Sequence, residues 1–349
     1  MIFSSCDFEE TPDQPTYQYN DAVHWSTDGG AEEAHTFDAG VCTVCGCEMP
    51  EKGAEGEGEN DTNSSGLNFA VYESYAAVIG IGQNTDKNLI IPSTYMGKPV
   101  TTIAERGLGY ILSEPQYNTV TLPDSITTIG NNAFYSNSLK ALHIGKGLKN
   151  LENESLCDLR LETITVDEMN PNFKSVDNVL YTKDGKTLVK YSTEKLDTEF
   201  TVPAGIEHIG PYAFRSCKNL TSIILPNGLK TIELGAFCWS DHLETINIPE
   251  GVTTIGDGVF GYTALTEVIF PDSVTYIGSD IFHFVEPLIR VHLGVGLEVF
   301  PDALLCSISQ QVQLTISEDN PYFIIDANVV YNKSDMSVAF ENRYPYPYR

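Results

Sequence analysis

The residues whose types and spacing most suggest chemistry lie near the N-terminus: His24, His35, Cys42 and Cys45. Cys42 and Cys45 form a Cys-x-x-Cys pair followed by Gly46, and such a glycine lets backbone amides turn toward the thiolates. Two histidines and two cysteines would complete a tetrahedral structural zinc site. The alternative is a tail with free thiols or a local disulfide involving Cys47. A thioredoxin-like role is disfavoured because no βαβ pattern surrounds the pair.

Signatures of enzyme active sites are absent elsewhere in the sequence. It contains no Gly-x-Ser-x-Gly nucleophile turn, no phosphate-binding glycine loop and no His-Glu-x-x-His pair. The sequence therefore predicts a protein that is not an enzyme. It also predicts that the region after residue 66 needs no cofactor.

The charge of the chain is strongly acidic and unevenly distributed. The 349 residues carry a formal net charge of −28, from 48 acidic and 20 basic side chains. Residues 1–66 alone hold 15 acidic side chains against one base, Lys52. Because such acidity repels phosphate backbones and anionic lipids, binding to nucleic acid has little physical support.

Composition divides the chain into three parts. Residues 1–49 form an acidic segment with the His/Cys set, residues 50–66 a Gly/Glu/Ser-rich flexible linker, and residues 67–349 the region expected to fold. No run of 18 apolar residues is present, so no transmembrane segment is predicted.

The first residues bear on localisation. Met1-Ile2-Phe3 followed by Ser4-Ser5-Cys6 resembles the end of a bacterial lipoprotein signal, in which Cys6 would be lipidated in the precursor. The alternative is a start methionine ahead of an unstructured tail.

Internal repeats dominate residues 67–349. Pro203, Pro226, Pro249 and Pro271 are spaced 23, 23 and 22 residues apart. The same register gives an isoleucine column (Ile103, Ile129, Leu151, Ile209, Ile232, Ile255, Ile277 and Phe300). Five residues later it gives a phenylalanine column (Leu108, Phe134, Leu156, Phe214, Phe237, Phe260, Phe282 and Leu305). Eight units of 22–23 residues are therefore predicted.

The sequence of each unit predicts its local structure and which of its side chains are buried. A Leu-x-x-Ile-x-Leu stretch alternates as a strand does, and the short Ala-Phe segment after the isoleucine predicts a helical turn. One unit cannot bury its own apolar side chains, so equivalent residues must stack in a solenoid. The cysteines of this region are predicted to be buried thiols: Cys157, Cys217, Cys238 and Cys306.

The recurring pattern Leu-Pro-x-Gly-Val-x-x-Ile-Gly-x-x-Ala-Phe-x-x-Cys-x-x-Leu resembles the BspA-like, or treponemal-type, leucine-rich repeat family. Residues 202–220 match it best, including Cys217, whereas Asn137 and Ser240 replace that cysteine in other units. The resemblance covers about residues 67–349. It implies a mainly β, right-handed leucine-rich-repeat solenoid with short helical turns, and a cell-surface role in adhesion.

Two insertions interrupt the period. Residues 170–183 and 320–333 match at a constant offset of 150, which predicts β-hairpins over about 167–199 and 317–349.

The outward positions of the predicted strands form the candidate binding face. Most are small or polar, with two isoleucines among them: Thr121, His143, Thr165, Ser222, Ile224, Thr245, Asn247, Glu267, Ile269, Arg290 and His292. A rigid sheet face lowers the ordering cost of binding an extended partner. The alternative is a solvated face without a ligand.

The sequence and the resemblance together predict an extracellular, non-enzymatic binding protein at the cell surface. Its expected partners are host extracellular-matrix proteins or other surface proteins. Two alternatives stay open: a component that binds glycans or captures nutrients, and a structural spacer that presents other modules.

Overall fold

The computed structural model describes residues 66–109, 117–135, 139–157, 159–301, 303–305, 308, 311–326 and 329–341, with the backbone of five short strands before them. Its contacts define two units, residues 1–60 with 70–73 and residues 61–69 with 74–349. In the first unit the strands are β1 (Tyr17–Tyr19), β2 (Val23–Ser26), β3 (Glu33–Ala34), β4 (Phe37–Asp38) and β5 (Val41–Cys42). β1, β2 and β3 form an antiparallel sheet, and β4 pairs with β5.

The next strands lead into and begin the repeat array. They are β6 (Asn68–Val71), which contributes residues to both units, β7 (Ala76–Gly80), β8 (Asn88–Ile90), β9 (Thr94–Tyr95), β10 (Lys98–Ile103), β11 (Thr119–Thr121), β12 (Thr128–Ile129), β13 (Ala141–Ile144), β14 (Asn150–Leu151) and β15 (Thr163–Val166). The first insertion follows as β16 (Phe173–Val176), β17 (Val179–Thr182) and β18 (Thr187–Tyr191).

The array then resumes and meets the second insertion. Its strands are β19 (Glu199–Thr201), β20 (His208–Ile209), β21 (Ser222–Ile224), β22 (Thr231–Ile232), β23 (Thr245–Asn247), β24 (Thr254–Ile255), β25 (Glu267–Ile269), β26 (Tyr276–Ile277), β27 (Arg290–Leu293) and β28 (Gln313–Ile316). The second insertion contains β29 (Phe323–Asp326), β30 (Val329–Asn332) and β31 (Val338–Glu341).

Most turns of the array contribute one strand to each of two faces. One face carries the Leu-x-x-Ile-x-Leu stretches, here called the Leu strands: β8, β11, β13, β15, β19, β21, β23, β25, β27 and β28. The other carries the isoleucine column, here called the Ile strands: β10, β12, β14, β20, β22, β24 and β26. Neighbouring Ile strands pair in parallel with column residues opposite one another, such as Ile209, Ile232 and Ile255. The predicted mainly β solenoid is therefore confirmed.

The number of turns differs from the prediction. Ten Leu strands make about ten turns, not eight. The two extra turns begin at β15 and β28 and run into the insertions. In the first of them β18 takes the place of an Ile strand, because it pairs in parallel with β20 and sets Leu188 opposite Ile209. That insertion is thus part of the solenoid itself, in the form of a three-stranded antiparallel meander.

The predicted helical turns are wrong: the described residues contain no helix. In the Ala-Phe segments alternate backbone N–H groups point to the next turn. Phe214, Phe237 and Phe260 donate to the carbonyl oxygens of Ala236, Val259 and Ile281 at 2.7–3.0 Å. A helix would use those N–H groups within its own segment. Left-handed residues such as Tyr212 (φ 53°) and Ser216 (φ 61°) also break the helical repeat.

The core consists of ladders of equivalent side chains. The rings of Phe214, Phe237, Phe260 and Phe282 lie one above another, with centroid separations of 5.3, 5.9 and 5.8 Å, and all four are fully buried. Stacked aromatic pairs contribute beyond the area that they bury. Each ring therefore stabilises two neighbouring turns as well as its own.

Replacing Phe237 with alanine should lower the free energy of unfolding by about 3–5 kcal/mol, because it opens a cavity inside this ladder. Urea titration followed by circular dichroism measures the change. Tyr276→Ala, at a half-exposed position, serves as the control and should stay within about 0.5 kcal/mol of the parent. Equal losses in both variants would contradict the role assigned to the phenylalanine column.

The glycines that follow Ile209 and Ile255 allow a matched test of how closely neighbouring turns approach one another. A Cβ on Gly256 would lie 2.6 Å from the backbone nitrogen of Leu234, whereas a Cβ on Gly210 would lie 3.2 Å from the Leu188 oxygen. Gly256→Ala should therefore destabilise the protein by about 1–3 kcal/mol, as overpacking does. Gly210→Ala should lower the free energy of unfolding clearly less in the same titration. A larger loss for Gly210→Ala than for Gly256→Ala would contradict these distances between turns.

Candidate functional site

The structure places the predicted binding residues on the outward positions of the Leu strands. Thr121, His143 and Thr165 lie opposite one another in one parallel sheet. The other residues fall in two further sheets, in the pairs Ser222 with Thr245, Ile224 with Asn247, Glu267 with Arg290, and Ile269 with His292. The predicted face is therefore divided among three separate sheets, not one continuous sheet.

Polar side chains on this face are tied to their neighbours. His143 Nδ1 lies 2.6 Å from Thr165 Oγ1, and His292 Nδ1 lies 2.9 Å from Thr315 Oγ1. Glu267 and Arg290 form an ion pair at 2.9 Å with both side chains exposed, an arrangement that contributes at most about 1 kcal/mol. These contacts fix side-chain orientations across neighbouring turns.

Two apolar side chains stand out on the same face. Ile224 and Ile269 are 50% and 55% exposed, although both lie on strands whose inward residues are fully buried. They belong to different sheets, since Ile224 is on β21 and Ile269 is on β25. The face thus offers two separate apolar points within a polar surface.

An exposed aromatic column on the turns is a second candidate surface, which the sequence analysis missed. Its members are Trp239, Tyr262 and Phe284, each two residues after a phenylalanine of the buried column. Trp239 and Tyr262 stack at 3.8 Å with an interplanar angle of 12°, and Tyr262 and Phe284 follow at 5.1 Å. The Arg215 guanidinium lies 5.9 Å from the Trp239 ring centroid. Recurrence at the 23- and 22-residue period was the signal that could have revealed this column.

The backbone of the aromatic column is unusual. Trp239, Tyr262 and Phe284 all adopt positive φ, at 61°, 57° and 50°. This region is sparsely populated for bulky residues and persists only where surrounding structure imposes it. Here Trp239 and Tyr262 donate backbone N–H groups at 2.8 Å to the carbonyls of Gly261 and His283 on the next turn. The rings are therefore held on a rigid backbone.

One end of the aromatic column lies beside a positive charge. Arg215 supplies a permanent positive charge beside Trp239. His283 contacts the edge of Tyr262, and burial lowers the pKa of that imidazole against the opposing effect of Asp280. Trp239 and Phe284 are 37% and 39% exposed. Tyr262 has a ring on both sides, whereas Trp239 and Phe284 are each covered by a ring on one side.

A cavity of about 310 Å³ lies beside β14, where the first insertion interrupts the Ile strands. It is lined by Glu152, Glu233, Phe173 and Val189 among others. Burial raises the pKa of the Glu233 carboxyl. Its lining residues hold no cysteine and no histidine.

The described cysteines form no reactive centre. Cys157, Cys217 and Cys238 are buried, as predicted, and burial raises the pKa of the Cys217 thiol to about 12. A thiol with so high a pKa supplies almost no thiolate at neutral pH.

Several predicted residues lie outside the residues whose side chains the structure describes. They are Cys6, His24, His35, Cys42, Cys45 and Cys306. The zinc site and the lipidation at Cys6 therefore stay predictions. Within the described part of the chain, no three His, Cys, Asp or Glu side chains are grouped so as to hold a metal ion, and no helix has the length and hydrophobicity to cross a membrane.

Comparison with known proteins identifies relatives of the repeat array. The sequence profile of the BspA type leucine rich repeat region matches in six copies, over residues 91–184 and 190–309. A leucine-rich repeat protein from Eubacterium ventriosum has a similar structure, with 25% identity, a TM-score of 0.52 and coverage of 66% of each chain. A leucine rich cell surface protein from Faecalibacterium prausnitzii shares the fold at 17% identity and a TM-score of 0.51, over 75% of this chain and 96% of that one.

No curated protein matches the chain. The repeat profile nevertheless covers more than half of the sequence, and the residues it matches lie in the repeat array. The chain belongs to the BspA type leucine rich repeat family.

Proposed function

We propose that this protein is a non-enzymatic, adhesin-like binding protein of the bacterial cell surface, whose repeat array engages host extracellular-matrix proteins or other surface proteins. Membership of the repeat family supports a protein-binding role, and a similar structure is that of a cell surface protein. The observation that carries the proposal is the exposed column of Trp239, Tyr262 and Phe284 beside Arg215.

The chemistry of this column suits a protein partner. Trp, Tyr and Arg are the residue types that most often dominate the energy of protein interfaces. The left-handed backbone and the ring stacking already fix the side chains, so binding loses little conformational entropy. The fixed aromatic rings can pack against aliphatic side chains of a partner, and the Arg215 guanidinium beside them can bind a carboxylate of the same partner.

The same geometry disfavours a polysaccharide on the column. Sugars that stack on aromatic side chains need the open face of a ring. Here the 3.8 Å stacking encloses the two faces at which Trp239 and Tyr262 meet. Phe284 lies 5.1 Å from Tyr262, and the Arg215 guanidinium lies 5.9 Å from the Trp239 ring centroid. The outward Leu-strand positions, with Ile224 and Ile269, are proposed as a second contact area for an extended partner.

Removing the rings of the column should weaken partner binding. Trp239→Gly together with Tyr262→Gly deletes both rings without added strain, because glycine accepts positive φ freely. Binding to an immobilised panel of extracellular-matrix proteins and polysaccharides should show a protein ligand for the parent chain. We expect the double variant to lose roughly 30-fold in affinity for it, the equivalent of one hot spot of about 2 kcal/mol. Tyr276→Ala, an exposed tyrosine on an Ile strand, is the control.

The strand face is tested in parallel with Ile224→Asp and Ile269→Asp. Because both side chains are half exposed, the double variant should keep the circular dichroism of the parent while it binds the protein ligand more weakly. Unchanged affinity would remove the strand face from the proposal. Binding of the parent protein to polysaccharides alone would favour the glycan-binding alternative. Binding to no member of the panel would favour a structural spacer.

A further inference from the structure

Two glutamates depart from the repeat pattern, and both line the cavity beside β14. In most units the residue after the isoleucine column is a glycine, as at Gly130, Gly210, Gly256 and Gly278. Glu152 and Glu233 replace that glycine in two units, and no other unit has a charged residue there. Both side chains belong to residues that line the cavity. The two departures therefore coincide with an empty space in the solenoid.

The cavity exists where the first insertion interrupts the ladder of Ile strands. β14 pairs with β12, whereas β18 pairs with β17 and β20, and among the described strands nothing joins β14 to β18. Both strands contribute to the cavity lining, with Asn150 and Leu151 from β14 and Thr187 and Val189 from β18. Its volume of about 310 Å³ lies at the small end of the range for ligand pockets. That size suits a single side chain or a small molecule.

The Glu233 carboxylate is half-buried at this cavity and has no partner. Among the described residues it accepts no hydrogen bond and forms no ion pair. Burial raises its pKa, and the charge of His208 opposes that shift. Glu152, by contrast, is exposed and accepts the backbone N–H of Asn131 at 2.9 Å. Because a carboxylate that loses water without gaining donors costs free energy, a donor that enters the cavity is stabilised most at Glu233.

The remaining lining residues define the rest of such a ligand. Leu156, Phe173, Val189 and Pro211 give the cavity an apolar wall. An alkyl stem can lie along that wall while its polar end stays at the carboxylate. A guanidinium fits this end better than an ammonium does, because it is less strongly hydrated and its planar N–H groups match a carboxylate in pairs.

We propose that the cavity binds an alkylguanidinium group, with the guanidinium paired to the Glu233 carboxylate and the stem packed against Phe173 and Val189. Such a group is carried by the arginine side chain of a protein partner and by free alkylguanidines. The inference does not depend on the proposed function, since it involves neither the aromatic column nor the outward positions of the Leu strands.

The test titrates the full 349-residue protein by isothermal titration calorimetry with two probes. One is n-butylguanidine, and the other is a capped Gly-Gly-Arg-Gly-Gly peptide. The parent protein should bind n-butylguanidine saturably at one site per chain. Binding of the peptide as well would identify a partner's arginine as a ligand, and binding of n-butylguanidine alone would identify a free small molecule. The neutral counterparts of equal size, n-butylurea and the citrulline peptide, should bind at least about tenfold more weakly, because they lack the charge.

Glu233→Gln keeps the shape of the side chain but removes its charge, and it should weaken binding of n-butylguanidine roughly tenfold or more. The matched control is Glu244→Gln, since Glu244 is an exposed glutamate outside the cavity lining and its variant makes the same change in net charge. It should bind as the parent does. Because glutamine replaces a carboxylate without partners, both variants should also keep the circular dichroism of the parent.

Three results would overturn the proposal. They are a parent protein that does not bind n-butylguanidine, neutral counterparts that bind as tightly as the cations, and equal affinities of Glu233→Gln and Glu244→Gln. The last result would show that the cation is attracted by the net negative charge of the chain and not by this cavity.

Discussion

The structure depends on one constraint: every turn must present its hydrogen-bonding groups and its apolar side chains in register with the turns on either side. No turn can bury its own isoleucine and phenylalanine, so burial and backbone pairing come from the neighbours. The isoleucine column pairs residue for residue, and the phenylalanine rings stack at 5.3–5.9 Å. Any segment inserted into the array must offer the same hydrogen-bonding register to the neighbouring turns. The first insertion does so by supplying β18 as a parallel partner for β20.

Register also explains which features of the fold could be predicted from the sequence. The inward columns were predictable because a repeated side chain at a fixed period reports directly on stacking, and all the column residues from Ile209 to Phe282 are buried. The helical turns were not predictable, because the local Ala-Phe pattern is compatible with a helix. Only the hydrogen bonds to the next turn, such as Phe214 N–H to Ala236, exclude one. One of the two extra turns was missed because β18 carries Leu188-Val189 in place of the Ile-Gly signature of Ile209-Gly210.

The two candidate surfaces also differ in how far they could be predicted from the sequence. Alternation along a strand was enough to place Ile224 and Ile269 on the outside, and both are exposed. The aromatic column was missed because Trp239, Tyr262 and Phe284 are three different residue types, although they recur at the 23- and 22-residue period. Their common positive φ and their stacking are properties of the turn geometry that no residue pattern displays. The division of the Leu strands into three sheets likewise arises from the packing of successive turns.

The same constraint links stability to binding. Holding three bulky aromatic residues in a left-handed conformation costs of order 1–3 kcal/mol each, so the arrangement persists only because the ladder imposes it. The backbone N–H groups of Trp239 and Tyr262 donate hydrogen bonds to the next turn, and the two rings stack on each other. A surface fixed in this way cannot adapt to many partners, but it loses little entropy with one that fits. Because the column crosses successive turns of 22–23 residues, its shape is set by the order of the repeats. Selectivity would then be encoded in which turns stand next to each other, and a single turn would carry little of it.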